Sequence, residues 1–267
     1  DDCLILSHCR KLFVKKFKCL ESYCVKNNIR LQPFKCSFLT IHTSENDNIV
    51  LDNGVIEFAN EAIYLGSTLS SDGNVNIEIA LEIRGRRKHF NKFYSFLREN
   101  HNAPFTVKEK VLEACVTSAV LNNCEAWGNV KVKDLETLYR KALKYLLGVR
   151  TQVCNEFPYI ELQKPTLTSM IYKRQYIFYK NCTVNRDWPL QRYIIRKALD
   201  VSCSFITHYT KFTNQYSSAE EITTQSLEVL KNEVMKKASL GQSRYVTYLT
   251  TNPILTRPKI YSKYIPT

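Results

Sequence analysis

Apolar residues that recur every three or four positions predict a first helix between about residues 13 and 26. They are Phe13, Phe17, Leu20 and Cys24. At this spacing they share one face of a helix. Asn27-Asn28 is expected to end the helix, because asparagine tolerates the left-handed conformation common after helices. The apolar run 3–6, directly after two carboxylates, predicts a strand that leaves a turn.

From residue 29 to about 69 the hydrophobic period changes to two, which is typical of strands. Asp52-Asn53-Gly54 separates the apolar runs 49–51 and 55–58. Asn-Gly between two such runs predicts a β-hairpin, since both residues accept positive φ. A further strand is predicted over 63–69, and the turn-rich cluster 71–74 ends it.

After residue 74 the pattern becomes helical. One long amphipathic helix carries Ile79, Ile83, Phe90, Phe93 and Leu97, although Gly85 weakens its middle. Another helix begins near Pro104, and a third is predicted over 133–147, with Gly148 as its stop. That third helix is expected to turn Leu135, Leu138, Ala142 and Tyr145 inward. Further helices are predicted at 166–182, 188–200 and 219–239, and a late strand at 245–249.

The expected fold is therefore α+β. A small antiparallel sheet region with a packed helix occupies residues 1–74. A helical region follows over 75–150, and a second one over 151–267.

Charge divides the chain unevenly. The formal net charge is +13. Residues 1–80 carry eight Lys/Arg and ten Asp/Glu, a net of −2, whereas residues 81–267 carry thirty and fifteen, a net of +15. This balance indicates an anionic partner, with nucleic acid the first candidate and a membrane surface the second. A solvated basic surface without a partner is the plain alternative.

The most concentrated positive charge lies in the long helix, at Arg84, Arg86, Arg87, Lys88 and Lys92. Helical geometry puts Arg84, Arg87 and Lys88 on one face, away from the apolar positions. Such a face can follow phosphates, and His89 and Tyr94 nearby could stack on bases or sugars. A less interpretable basic surface is expected from Lys173, Arg174, Lys180, Arg192, Arg196 and Lys197.

Other chemistries find little support. The ten cysteines show no Cys-x-x-Cys spacing, so structural zinc is not expected. No secretory signal or 18-residue apolar run stands in the sequence, which favours reduced thiols, a nuclear or cytoplasmic location and no membrane partner. The Gly-x-Ser-x-Gly, His-Glu-x-x-His and phosphate-loop motifs are absent from the sequence.

The order of several segments over residues 1–185 resembles the reverse transcriptases of non-LTR (LINE-type) retrotransposons. Asp1-Asp2, an apolar strand, Ser7 and an amphipathic helix resemble the region after the metal-binding Asp-Asp hairpin of that family. Segment 29–35 ends in Lys35, and Tyr64-Leu65-Gly66 resembles the primer-grip strand. Basic helices then follow, as in the family's thumb. Segments 121–127, 135–148 and 158–162 have counterparts farther on.

The resemblance implies an RNA-directed DNA polymerase that copies an RNA template from a DNA primer with deoxynucleoside triphosphates. Asp1 and Asp2 would be catalytic and would bind Mg²⁺ in the complete enzyme. Lys35 would contact the triphosphate. Tyr64, Leu65 and Gly66 would hold the primer end, and the basic helix would bind nucleic acid. The three regions would be a partial palm, a thumb-like region and a C-terminal region of unassigned role.

The sequence also departs from the family. Gln32 stands where the family usually has Asn, and Asn122-Asn123 replaces its Tyr-Gly pair. The fingers and the strand with the first catalytic carboxylate do not precede Asp1, so the chain is expected to be a fragment that is inactive alone. Two other hypotheses stay open, a non-catalytic RNA- or DNA-binding helical module and a helical protein–protein scaffold.

Overall fold

The computed structural model describes residues 3–41, 47–51, 54–72, 75–128, 132–184, 189–200 and 204–258. The chain forms two compact units, 1–82 and 83–267. Two small antiparallel sheets and a mainly helical body confirm the predicted α+β class. The predicted three-region division, at 74/75 and 150/151, stays a prediction.

Helix α1 (Arg10–Lys26) forms the core of the first unit together with the strands. Its buried Phe17 packs with Phe38, Ile49 and Ile56. Asn28 has a φ of 54°, which confirms that the asparagines end the helix. The strand predicted over 3–6 is wrong, because these residues adopt no regular structure. They have no ladder partner among the described residues, and a strand exists only when another strand satisfies its backbone groups.

Strands β1 (Ile49–Leu51) and β2 (Gly54–Ile56) pair antiparallel, with Leu51 opposite Gly54. This register leaves a two-residue loop and confirms the predicted hairpin, although Asp52 and Asn53 lie outside the described residues. A short 3₁₀ turn (Pro33–Lys35) precedes the hairpin, and a parallel bridge joins Phe38 to Phe58.

The single strand predicted over 63–69 is wrong. The segment instead forms a second hairpin, with β3 (Glu61–Tyr64) antiparallel to β4 (Ser67–Ser70). Leu65 and Gly66 form the turn, with φ values of 50° and 85°. Two successive positive φ angles belong to the type I′ turn, whose twist matches that of a two-stranded hairpin. A leucine at the first position is no turn signal, so the alternation suggested one continuous strand.

The rest of the chain is helical. The long helix α2 (Val75–Glu99) and the central helix α5 (Lys133–Leu146) confirm two predictions. Between them run α3 (Phe105–Val111), a π-helical turn (Leu112–Thr117), α4 (Ser118–Val120) and a 3₁₀ turn (Cys124–Ala126). After α5 come α6 (Phe157–Leu162), α7 (Leu167–Val184), α8 (Pro189–Asp200), α9 (Ser204–Gln215), α10 (Ala219–Ser239) and α11 (Ser243–Thr251).

Helix α5 turns a slightly different face inward than the sequence suggested. Leu135, Tyr139 and Leu143 are fully buried, whereas Tyr145 is 55% exposed. The inward prediction was therefore wrong for Tyr145. Gly148, with a φ of 66°, follows the helix and confirms the predicted stop, and the Val149 N–H donates to the Lys144 carbonyl.

Helix α7 is the centre of the second unit and packs against α5, α8, α9 and α10. Its prediction and those of α8 and α10 are confirmed, whereas α6 and α9 were missed. The strand predicted over 245–249 is wrong, because these residues lie in α11. Trp127 is only 2% exposed and anchors the core.

Candidate nucleic-acid interface

The second half of α2 carries the strongest local charge in the protein. Residues 83–98 contain six Lys/Arg and no Asp or Glu. Arg84, Lys88 and Lys92 follow one another at intervals of four residues, so they form a single row along the helix. At a rise of about 1.5 Å per residue the row is about 12 Å long. We call these three residues the α2 row.

The α2 row faces away from the core. Arg84, Lys88 and Lys92 are exposed, whereas Phe90 and Phe93 on the opposite side are fully buried. Within the part of the chain that the structure describes, no carboxylate forms an ion pair with the row. Three uncompensated charges on a rigid helix make a surface that attracts anions.

Arg86 and Arg87, unlike the residues of the α2 row, contact other segments of the protein. The Arg86 guanidinium donates to the Asn122 carbonyl at 3.2 Å, on the packed side of α2. Arg87 pairs with Asp134, in the first turn of α5, at 2.7 Å, and both side chains stay largely exposed. The structure thus brings together three of the five predicted basic residues, places Arg87 at the edge and holds Arg86 within the fold.

The two ring residues beside the row differ as well. Partial burial lowers the pKa of His89, and the charges of Lys88, Arg86 and Lys92 lower it further, so this side chain is neutral at pH 7. Burial and the neighbouring Tyr145 raise the pKa of Tyr94 to about 12. The Tyr94 hydroxyl donates to the Leu138 carbonyl at 3.1 Å, and its ring lies 5.0 Å from that of Tyr145. Tyr94 is therefore packed between helices, with partners inside the protein for both its hydroxyl and its ring.

In the first unit, the predicted primer-end residues lie at the tip of the β3–β4 hairpin. Leu65 and Gly66 are exposed, and Tyr64 is half-buried at the end of β3. Leu65 is 60% and Ile63 is 79% exposed, an apolar tip that would meet solvent. Lys35 is exposed at the end of the 3₁₀ turn.

The predicted metal ligands Asp1 and Asp2 lie outside the described residues. Among the residues that the structure describes, no group of three or more His, Cys, Asp or Glu side chains stands together as a metal site. None of the described helices is both long and apolar enough to cross a membrane.

Three of the six residues of the second basic surface pair with carboxylates of the second unit. Lys173 pairs with Glu220, and Lys197 pairs with Asp200. Arg174 donates to the Leu121 carbonyl at 3.0 Å and lies 3.5 Å from the Glu125 carboxylate. These pairs compensate half of the charges that the sequence grouped together, so the α2 row is the better candidate in the second unit.

Two charged residues of α5 that hold the helices together, the half-buried Glu136 and the buried Lys144, were not identified from the sequence. Glu136 accepts from the Thr168 N–H at 2.8 Å and from the Tyr159 hydroxyl, which ties the start of α7 and α6 to α5. Lys144 is 3% exposed and donates to the carbonyls of Thr151 and Val153 at 2.8 and 2.6 Å. In the sequence, each of them is visible only as a charged residue next to apolar positions of α5. Because their contacts are internal, their role is structural.

Fold and site together define an α+β protein with a helical body and an exposed basic helix. Comparison with models of protein families, with curated proteins and with solved structures finds no match.

Proposed function

We propose that this chain is part of a non-LTR-type reverse transcriptase and that it holds primer–template nucleic acid through the α2 row. The observation that carries the proposal is the row itself: Arg84, Lys88 and Lys92 are exposed and aligned on a rigid helix without an acidic neighbour on residues 83–98. The order of helix α1, the hairpins and the basic helix supports the same assignment.

The row suits a phosphate backbone. One strand of a duplex presents a charge about every 3.4 Å of helix axis, so about three or four phosphates fall along the 12 Å row. Cations that neutralise phosphates release bound counterions, and binding then weakens steeply with salt. Such contacts position a nucleic acid without reading its sequence, as a polymerase that copies any template requires.

In this proposal the remaining residues have the roles implied by the resemblance. The Tyr64-Leu65-Gly66 turn contacts the primer end, and Lys35 neutralises charge on the triphosphate. Asp1 and Asp2 supply oxygen ligands, which suit the hard Mg²⁺ ion of the complete enzyme. When bound, this ion would lower the barrier for attack by the primer 3′-hydroxyl.

The test of the α2 row is a salt titration of binding to a labelled primer–template duplex. The variant R84Q/K88Q/K92Q removes the row. The variant K110Q/K141Q/K236Q removes three exposed charges elsewhere in the second unit and serves as the control. We expect the slope of log affinity against log salt to fall by about 2 to 3 in the row variant, at about 0.9 for each phosphate contact, and to stay unchanged in the control. Equal effects of both variants, or binding insensitive to salt, would overturn the assignment.

A second measurement separates a polymerase from a non-catalytic nucleic-acid-binding module. A chain that holds a primer end should bind a duplex with a recessed 3′ end more tightly than a blunt duplex with the same number of phosphates. Because electrostatic contact alone cannot distinguish the two ligands, equal affinities would favour the module and contradict the polymerase.

A further inference from the structure

The first unit has its own concentration of positive charge, which its small net charge conceals. Residues 3–41 contain eight Lys/Arg and a single acid, Glu21, whereas residues 47–72 contain five Asp/Glu and no Lys or Arg. The two signs are therefore separated along the chain. Helix α1 carries six of the eight basic residues.

Two of those six residues have roles within the fold. Arg10 donates to the Asn48 carbonyl at 2.9 Å and lies over the ring of Phe38. Lys16 donates to the Leu6 carbonyl at 2.7 Å. Both side chains hold neighbouring segments against α1, so neither Arg10 nor Lys16 is assigned to an external ligand.

Lys11, Lys15 and Lys18 are different. They are exposed, and none of them forms an ion pair with a described carboxylate. At 100° per residue they fall within about 60° of arc, on the side of α1 opposite the core residues Phe17 and Cys24. We call them the α1 row.

The α1 row borders a shallow depression of about 360 Å³, lined by Lys11, Val14, Lys15, Lys18, Cys19 and Ser22. Lys11 and Lys18 are seven residues apart, so the row is about 10 Å long. Lysine side chains are long and flexible, so the three ammonium groups can reach successive phosphates of one strand. Three lysines thus stand beside a recess, at a spacing that a single phosphate backbone can follow.

We propose that the α1 row is a second phosphate-binding face that takes one strand of RNA or DNA. The proposal does not rest on the polymerase assignment, because it uses only the charges and geometry of α1. An anionic membrane is the competing ligand. Stable interfacial helices insert an apolar face, and the apolar face of α1 is packed in the core with Phe38, Ile49 and Ile56. A narrow row of lysines therefore favours a strand over a lipid surface.

The test measures binding to a labelled single-stranded RNA, and to DNA of the same length, over a range of salt concentrations. The variant K11Q/K15Q/K18Q should lower the slope of log affinity against log salt by about 2, at about 0.7 for each phosphate on a single strand. The variant K11R/K15R/K18R should retain the wild-type slope, because it keeps the charge. The variant K110Q/K141Q/K236Q is again the control and should also keep the wild-type slope.

The possible outcomes separate this inference from the proposed function. A lower slope in K11Q/K15Q/K18Q, with the wild-type slope retained in the control, supports the α1 face, whatever the R84Q/K88Q/K92Q variant does. An α1 variant that behaves like the control overturns the α1 face and leaves the α2 row to its own experiment. Vesicles that contain phosphatidylserine are the third ligand. If the α1 variant loses vesicle binding but keeps the RNA slope, the face binds lipid and the proposal is wrong.

Discussion

Glu156, the residue before α6, illustrates how one buried charge joins distant parts of the second unit. It is 5% exposed and accepts from Lys237 at 2.7 Å and from the Tyr245 hydroxyl at 3.1 Å. Burial alone would raise the pKa of this carboxyl. The hydrogen bonds from Lys237, the backbone and Tyr245, together with the Lys237 charge, outweigh it and leave the pKa below its ordinary value of 4.5. The carboxylate therefore stabilises the folded state.

This predicts a pH-dependent effect of the substitution Glu156→Gln. A carboxyl with a lowered folded-state pKa contributes stability that is fully present above about pH 4.5 and is lost as pH falls through the folded value. We expect E156Q to lower the free energy of unfolding by about 2 kcal/mol at pH 7, where it weakens bonds to a charged acceptor. The difference from wild type should shrink below pH 4.5. Urea unfolding followed by tryptophan fluorescence measures both.

The matched control is Glu228→Gln. Glu228 is largely exposed, and among the described residues its one ion pair is with Lys231, three residues along the same helix. An exposed pair of this kind contributes about 0.5 kcal/mol or less, so E228Q should leave unfolding nearly unchanged at every pH. A pH-independent cost of E156Q would show that packing, not the charge, accounts for its effect.

The exposure of a side chain can be predicted from the sequence where the geometry of a single helix determines it. The exposure of Arg84 and Lys88 follows from their distance around the helix from Phe90. The same prediction is wrong for Arg86, because this side chain donates to a carbonyl 36 residues away. The spacing of residues along the sequence does not predict such a partner.

At the scale of single elements, two glycines should respond in opposite ways to substitution by alanine. Gly148 follows α5 with a φ of 66°, whereas Gly85 lies inside α2. A Cβ at either position would have no described neighbour within 4 Å. Backbone conformation therefore decides both substitutions.

Gly148→Ala should destabilise the second unit by about 1 kcal/mol, since alanine resists positive φ. Gly85→Ala should stabilise it by about 0.5 to 1 kcal/mol, because alanine loses less entropy in a helix. Thermal unfolding of the two variants beside wild type measures the opposite shifts. Equal signs would mean that packing, not backbone preference, controls one of the sites.

The β3–β4 hairpin and α11 show where element prediction fails. The hairpin at Asn53-Gly54 was predicted because asparagine and glycine accept positive φ on their own. Leucine rarely accepts positive φ, although Leu65 has a φ of 50° in this turn. Residues 245–249 were predicted as a strand, whereas in α11 Tyr245 and Tyr248, three residues apart, share one face of a helix. Their hydroxyls reach Glu156 and Glu161, which are 89 and 87 residues away.

At the scale of the whole molecule, the two units differ in how much they bury. The first unit holds two-stranded sheets and leaves Val50 and Phe34 77% and 81% exposed. The second unit surrounds α7 with four helices and buries Leu143 and Leu167 completely. Two-stranded sheets are only marginally stable by themselves. The first unit should therefore open more easily.

Hydrogen exchange followed by mass spectrometry tests this difference. We expect amides of β1 to β4 to exchange at least about 100-fold faster than those of α5 and α7, because local opening needs less free energy where little apolar surface is buried. The amides of α11 provide an internal reference within the second unit. Equal protection across the chain would contradict the difference and indicate a single cooperative unit.

The sequence by itself determined the properties that depend on near neighbours. These are the helical periods of α1, α2, α5 and α10, the Asn-Gly hairpin, the glycine stop after α5 and the row of cations on α2. Each arises from contacts within about one or two helical turns, so spacing predicts it.

Only the tertiary structure decided which charges remain available. Arg86, Lys173 and Glu156 are used within the fold, whereas Lys11, Lys15 and Lys18 stay exposed. The reason is physical: a buried charge persists only with a partner, and the chain supplies that partner from remote positions. Spacing along the sequence carries no record of such distant pairs.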